Sequence, residues 1–304
     1  MKQIKNSILI SLGFLLLSCN PHVEIPAYIY VENVDVITTN PNDEGTSSAK
    51  IPDIWVTVNG KNIGAYQLPA LIPVIADGST ELTFSAGIKL NGRSEWRPEY
   101  PHYTVHKEQI NLAKGNIDTV FPVFHYQTWT TFALKENFED AGLNFHSVNG
   151  GAKLEKTQNA ALLFKHKNEP NNFSGIIDLP VSDSIYFFEI QTASPLYLTY
   201  NTAPDCFVEL NFCFDANVEI GIYCHFPPNS STRTQQIPIA NIIGNSNNTD
   251  SAQSKWNKIY INLTDEMNTA TGKGMTHFDI YMKCGIPQNQ KAKFLFDNIK
   301  VVHR

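Results

Sequence analysis

Acidic and amide side chains stand beside tyrosines in three short segments, residues 206–214, 218–224 and 278–284. In each segment apolar and polar residues alternate, which is typical of a β-strand with one buried face. Carboxylates and amides offer several hydrogen bonds, and an aromatic ring offers a flat apolar surface, so together they suit a polyhydroxylated ligand. The candidate ligand-binding residues on the polar sides are Glu209, Asn211, Glu219, Tyr223, Asp279 and Tyr281.

A plain alternative explains the same residues. Strands with one face in water carry polar side chains whether or not they bind anything. The ligand-binding hypothesis requires more, namely that the polar sides of the three strands meet on one open surface.

Catalytic motifs are missing from the sequence. It contains no GxSxG, HExxH or P-loop pattern, and its nine histidines are scattered. Glu209 and Glu219 could be compared with the paired carboxylates of a glycosidase, but their spacing does not require that arrangement. We therefore predict a protein that is not an enzyme.

Four cysteines follow residue 19, an even number that suits an oxidising compartment: Cys206, Cys213, Cys224 and Cys284. All but Cys213 fall on the predicted core side of their strands. Cys206 and Cys224 are predicted to lie on adjacent antiparallel strands, which would allow a disulfide. Buried reduced thiols are an equal alternative, and the sequence does not choose among the pairings.

The N-terminus has the pattern of an export signal. Lys2 and Lys5 precede an uncharged run at residues 8–17. A membrane-spanning helix needs roughly 20 apolar residues, so this run is too short to be a permanent anchor.

The sequence Leu16-Leu17-Ser18-Cys19 at the end of this run resembles the lipobox of bacterial lipoproteins. The resemblance implies that residues 1–18 are removed and that Cys19 carries the lipid. It also implies a lipid-anchored outer-membrane protein, but it does not indicate whether the protein faces the periplasm or the cell surface. An ordinary signal peptide with a chance cysteine is the alternative.

Charge excludes one class of partner. Without residues 1–18 the chain keeps 21 basic and 29 acidic residues, a net charge of −8. Nucleic acids and anionic membrane surfaces attract clustered Lys and Arg, and no such cluster occurs. We expect no nucleic-acid partner.

Short alternating runs separated by Gly, Pro, Asn and Asp predict an all-β chain of two β-sandwiches. After a tether at residues 19–26, the segments VTVNGKNIG, LP and DGSTELTFSAG resemble the PEGA-type domain, over residues 27–127. Asn59-Gly60 predicts a hairpin turn, and residues 39–50 predict an exposed loop. The resemblance implies a small sandwich that acts as a spacer or interaction domain.

Residues 135–304 contain about eight predicted strands. Their segments NFED, WNKIYINLT and FLFDNIKVV resemble the galactose-binding-like jelly roll of extracytoplasmic carbohydrate-binding modules. In such modules the first and last strands lie side by side and can hold a structural Ca²⁺ through oxygen ligands. Glu139, Asp140 and Asp297 stand at those places, so they are candidate calcium ligands, with an ordinary pair of loops as the alternative.

Two functions fit these observations. The first is a non-catalytic, lipid-anchored envelope protein that binds a glycan or polysaccharide through the jelly roll. The second is an accessory subunit of an outer-membrane protein complex with no small ligand, for which we expect exposed apolar patches around Trp96, Tyr100 and Tyr103.

Overall fold

The structure is a computed structural model that describes residues 24–198, 205–244 and 254–304. The predicted signal peptide and lipidated Cys19 lie outside the described residues. Within them, no helix has the length and apolar character needed to cross a membrane.

The first group of elements forms the first sandwich. The elements are β1 (Ala27–Val31), β2 (Asp35–Val36), α1 (Pro41–Glu44), β3 (Asp53–Val58), β4 (Lys61–Gln67), β5 (Ala70–Val74), β6 (Gly78–Gly87), β7 (His106–Leu112), β8 (Ile117–Thr119) and β9 (Val123–Phe124). They form three small sheets, with strand orders β5-β1-β8, β4-β3-β6-β7 and β2-β9. Asn59 and Gly60 join β3 to β4 with positive φ at both residues, as the hairpin prediction requires.

The second group forms two larger sheets. The elements are β10 (Thr131–Glu136), β11 (Phe145–Gly150), β12 (Glu155–Thr157), β13 (Ser174–Leu179), β14 (Tyr186–Thr192), β15 (Phe207–Phe214), β16 (Val218–His225), β17 (Thr234–Ile242), β18 (Asn257–Asn262), α2 (Thr264–Gly272), β19 (His277–Ile286) and β20 (Ala292–His303). The six-stranded sheet has the order β12-β13-β20-β15-β18 with β10 also paired to β20, and the five-stranded sheet has the order β11-β14-β19-β16-β17.

The two larger sheets enclose one apolar core. Alternate residues of β16 and β19, such as Ile222 and Ile280, point into it and are fully buried. Each such side chain stabilises the fold by roughly 1.5–3 kcal/mol relative to an exposed position. The predicted all-β fold with two sandwiches, the second a jelly roll, is confirmed.

The outer face of the six-stranded sheet is covered by the first sandwich. Phe207, Tyr260 and Val302 of the second sandwich belong to the first sandwich's core, where they pack with Tyr100 and Tyr103. Tyr100 and Tyr103 are each only 3% exposed. The prediction of an exposed apolar patch is therefore wrong at Tyr100 and Tyr103, because these two side chains form the contact between the sandwiches.

The segment 39–50 is exposed over residues 39–43, as predicted, but residues 45–48 contribute to this contact, so the prediction of an exposed loop is wrong for that part. Ser48 is buried, and its hydroxyl donates to Asn211 Oδ1 at 3.0 Å. The Thr46 hydroxyl donates to Asn298 Oδ1 at 2.9 Å. These polar groups are satisfied across the interface, which is why a segment of polar composition is buried there.

A loop of the first sandwich extends the edge of the six-stranded sheet. The Asn91 amide donates to the Tyr260 carbonyl at 2.9 Å, and the Asn262 amide donates to Asn91 Oδ1 at 2.9 Å. Gly92 follows with φ of 74° and packs closely on Ile259. The first sandwich thus reaches around β18 toward β17.

The four cysteines among the described residues are reduced and buried. Cys206 precedes β15 in the six-stranded sheet, whereas Cys224 lies on β16 in the five-stranded sheet. The predicted adjacency of their strands is wrong, because the chain crosses from one sheet to the other between them. Burial raises the pKa of Cys206 to about 12 and that of Cys224 to about 11, so both stay protonated thiols near neutral pH.

Candidate functional site

Four of the six predicted ligand-binding residues lie together on the outward side of the five-stranded sheet. Tyr223 is directly opposite Asp279, and Tyr281 is opposite Gly221, across β16 and β19. Glu219 lies opposite Lys283 in the same register. Strand alternation predicts this grouping, because every second residue projects to the same side.

The outward side chains of β14, β16 and β19 form a continuous surface that we call the polar face. Sequence reasoning missed its β14 members, although Phe188 and Ile190 alternate with them as buried residues. The members are Glu189, Gln191, Glu219, Tyr223, His225, His277, Asp279, Tyr281 and Lys283.

Tyr281 forms the floor of the polar face. Its ring is buried and lies against Gly221, where a Cβ atom would come within 2.5 Å of the Tyr281 hydroxyl oxygen. The hydroxyl donates to Glu219 Oε1 at 2.8 Å, and Lys283 Nζ lies 3.1 Å from the same oxygen. Burial and the Glu219 carboxylate raise the pKa of Tyr281, so the hydroxyl remains a donor.

Tyr223 lies over this floor and remains partly exposed. Its ring centroid is 4.8 Å from that of Tyr281, at an interplanar angle of 42°. Its hydroxyl donates to Glu189 Oε1 on β14, so the side chain spans β19. Burial and the Glu189 carboxylate raise the pKa of Tyr223. The ring is held in one orientation and is the aromatic surface on the polar face best placed to meet a ligand.

Asp279 organises the other end of the polar face. Its carboxylate accepts from the Thr192 hydroxyl at 3.0 Å and from Gln191 Nε2 at 2.8 Å, and it lies 2.7 Å from His225 Nε2. The His225 ring stacks on His277 with centroids 4.4 Å apart. Burial and the neighbouring His225 lower the pKa of His277, so neutral imidazole is favoured.

Glu209 is not on the polar face, so its prediction as a surface ligand residue is wrong. It lies on β15 in the other sheet and is fully buried beneath the first sandwich. Its carboxylate lies 2.7 Å from Lys258 Nζ and accepts from the Tyr100 hydroxyl at 2.8 Å and the Tyr126 hydroxyl at 2.9 Å. Glu209 thus links the two sandwiches instead of facing solvent.

Two buried lysines accompany Glu209, and we call Glu209, Lys258 and Lys300 the ion cluster. Lys300 Nζ donates to the Tyr126 hydroxyl at 3.1 Å and to the Thr46 carbonyl at 2.9 Å. Burial opposes ionisation of Glu209, but the two ammonium groups outweigh it and lower its pKa to about 2. Burial lowers the pKa of Lys300 to about 7, although Glu209 opposes that shift.

The prediction of Asn211 as a ligand-binding surface residue is wrong for the same reason. It is 3% exposed and accepts from the Ser48 hydroxyl of the first sandwich. Its side chain completes the contact between the sandwiches and does not reach the polar face.

The three candidate calcium ligands are engaged separately. β10 and β20 do pair side by side, yet the Asp297 carboxylate accepts from Ser174 at 2.6 Å and from Asn171 at 2.9 Å. The Glu139 carboxylate accepts from the backbone amides of Asn172 and Phe173. Asp140 is exposed.

Burial raises the pKa of Asp297 to about 7, and the hydrogen bonds from Ser174 and Asn171 oppose that shift. In the described ranges no three His, Cys, Asp or Glu side chains lie close enough to share a metal ion. Calcium binding through Glu139, Asp140 and Asp297 stays a prediction.

Open cavities adjoin the polar face at the Glu219 end. One, of about 380 Å³, is lined by Glu189, Glu219 and Lys283. A second, of about 420 Å³, is lined by Glu219, Asn241 of β17 and Arg93 of the first sandwich. The polar face therefore continues into a groove that the first sandwich helps to form.

Comparisons with known proteins return structural similarities only. No family model matches the chain, and no curated protein matches it. A carbohydrate-binding module of the β-sandwich superfamily is 12% identical, with a TM-score of 0.38 over 82% of this chain and 84% of that chain.

Two further structures come from Clostridium thermocellum. The CBM22-1–GH10 modules of xylanase 10B, complexed with xylohexaose, are 9% identical with a TM-score of 0.39, over 57% of this chain and 28% of that chain. A family 11 carbohydrate-binding module with a mixed-linked tetrasaccharide is 14% identical with a TM-score of 0.34, over 57% and 94%. Similarities this low do not identify a ligand for this chain.

Proposed function

We propose that this protein is a non-catalytic, lipid-anchored envelope protein that holds a glycan on its polar face. The observation that carries the proposal is the fixed, partly exposed ring of Tyr223 between the carboxylates of Glu189 and Glu219. A sugar ring presents an apolar C–H face and polar edges, so it needs a flat aromatic surface with hydrogen-bonding groups around it.

The neighbouring groups supply both kinds of hydrogen bond. Lys283 and Gln191 are donors, and Glu189 and Glu219 have a second oxygen each with which to accept from hydroxyls. Because these side chains are already bonded to one another across the strands, few rotamers remain to be fixed when a ligand binds.

The same bonding argues against catalysis. Glu219 accepts from Tyr281 and pairs with Lys283, and Asp279 is held by three partners. A glycosidase needs one carboxylic acid kept protonated beside a second free carboxylate. Carboxylates whose oxygens already accept hydrogen bonds from fixed neighbours suit binding better than proton transfer.

Replacing Tyr223 by alanine is expected to weaken glycan retention by about ten-fold or more, because one stacked aromatic contributes roughly 0.5–1.5 kcal/mol beyond its buried area. The measurement is affinity electrophoresis of the full chain against a panel of soluble polysaccharides. Tyr223→Phe keeps the ring and should retain most of the binding. Tyr28→Ala, on the outward side of β1, is the matched control. Equal retention by Tyr223→Ala and the parent would reject the proposal.

The anchor is the second part of the proposal. Lipid on Cys19 followed by residues 19–26 would place β1 within about 27 Å of the bilayer surface. Acyl chains supply about 0.8 kcal/mol for each buried CH₂, so two or more chains hold a soluble domain stably. We expect the parent in the membrane fraction with an acylated N-terminus by intact mass, and Cys19→Ser in the soluble fraction. An unmodified, soluble parent would contradict the anchor.

The accessory-subunit function is the second candidate, and the outer face of the sheet β5-β1-β8 favours it. Leu71 and Ile117 flank β1 there and are 51% and 60% exposed. A short tether would keep this face near the membrane, where the apolar surface of an integral membrane protein could cover it. This function requires a complex in mild detergent that Leu71→Ser with Ile117→Ser disrupts, whereas a monomeric extract excludes it.

A further inference from the structure

A small cavity lies where the two sandwiches meet, and we call it the junction cavity. Its volume is about 140 Å³. Ile259 and Phe212 supply apolar wall. Its polar lining consists of Lys50, Lys89, Lys258, Asn91, Asn241, Asn257 and Tyr260.

The charge of the junction cavity is opposite to that of the whole chain. Three lysines and no acidic residue line it among the described residues, in a chain of net charge −6. Lys258 is neutralised by Glu209 at 2.7 Å. Lys50 Nζ donates instead to the neutral amide oxygen of Asn257, so it remains without a counter-charge there.

Lys89 adds a second positive charge at the same place. Burial lowers the pKa of Lys50, and the charge of Lys89 lowers it further. Neither Lys50 nor Lys89 forms an ion pair within the part of the chain that the structure describes. An anion that entered the junction cavity would relieve this repulsion and accept charge-assisted hydrogen bonds.

The junction cavity adjoins a second cavity that reaches the polar face. Asn241 and Gly92 line both the junction cavity and the neighbouring 420 Å³ cavity. That neighbouring cavity also contains Glu219 of the polar face. A chain-like ligand lying on the polar face could therefore place one of its units between the sandwiches.

We propose that the junction cavity binds an acidic sugar unit, a pyranose ring that carries a carboxylate, within the glycan held by the polar face. The proposal rests on the glycan-binding function and extends it to a substrate class, uronic-acid polysaccharides. Lys50 and Lys89 bind the carboxylate, Asn91 and Asn257 bind hydroxyls, and Ile259 contacts the C–H face of the ring.

Isothermal titration of the full chain in detergent with oligogalacturonate, and with its carboxyl-reduced neutral form, tests the proposal. The acidic oligomer is expected to bind about ten-fold tighter at low salt, because one or more charge-assisted hydrogen bonds are added. Lys89→Gln should remove this advantage, and Lys89→Glu should reverse it. The matched control is Lys107→Gln, an exposed lysine on β7.

The outcomes separate the two proposals. Equal affinity for the acidic and reduced oligomers overturns the acidic-sugar assignment, while loss of both in Tyr223→Ala would still support the polar face. Binding that depends on Lys89 but not on Tyr223 supports the junction cavity and rejects the polar face. Free galacturonate should displace the oligomer, and equal displacement by the same concentration of sulfate would overturn the assignment to a sugar ring.

Discussion

Glu209→Ala is expected to destabilise the protein by about 3–5 kcal/mol, because it leaves the ammonium group of Lys258 buried without its counter-charge. Lys258 and Lys300 lie in the same contact, and both side chains are buried there. Chemical unfolding monitored by tyrosine and tryptophan fluorescence measures the loss. Glu155→Ala, at an exposed position of the same sheet, should change stability by less than about 0.5 kcal/mol.

A second variant and the pH dependence of stability test whether the charge of Glu209 is responsible. Glu209→Gln keeps an acceptor for the Tyr100 and Tyr126 hydroxyls but removes the charge, so it should be nearly as destabilising as Glu209→Ala. Because the pKa of Glu209 is depressed to about 2, its stabilisation is present above about pH 4 and is lost as the pH falls toward 2. A Glu209→Ala protein within 1 kcal/mol of the parent would show that the sandwiches are not in contact in solution.

Gly221→Ala is expected to disrupt the polar face and to cost about 1–3 kcal/mol of stability. A Cβ atom there would lie 2.3 Å from the Ile237 carbonyl oxygen and 2.5 Å from the Tyr281 hydroxyl oxygen. The Tyr281 ring must move, and Tyr223 loses its support. Glycan affinity should fall by at least about ten-fold, as measured by the titration used for the parent.

The matched control is Gly285→Ala on β19, the strand next to β16. Its added Cβ would come no closer than 3.7 Å to any neighbour, the nearest being Phe187. This variant should keep both stability and glycan affinity. A folded Gly221→Ala protein that binds glycan as well as the parent would show that the packing of Tyr281 is irrelevant to binding.

Strand alternation predicts the polar face well, since the phase of Tyr223, Asp279 and Tyr281 depends only on local sequence. The same rule fails at Glu209, because it cannot tell whether water or another domain covers the outward side. One feature of the sequence did indicate that another domain covers this side of β15. Phe207 and Cys213 share that side of β15, and apolar residues on both sides of a strand indicate a sheet covered on both faces.

The contact between the sandwiches could not be predicted from local patterns. Tyr100 and Glu209 are 109 positions apart, and nothing near either residue identifies the other. The loop containing Lys89 and Asn91 has the composition of an ordinary turn. Its part in the junction cavity depends on how two independently recognisable domains pack, which a single sequence does not encode in any short pattern.

The loop at Asn91 also covers one edge of the second sandwich. β18 is an edge strand, and its unpaired backbone groups at Tyr260 and Asn262 are covered by this loop. Exposed edge strands recruit strands from other molecules and promote aggregation. Producing the second sandwich without the first would expose this edge strand and the ion cluster to solvent. The two sandwiches are therefore best treated as one unit for expression and crystallisation.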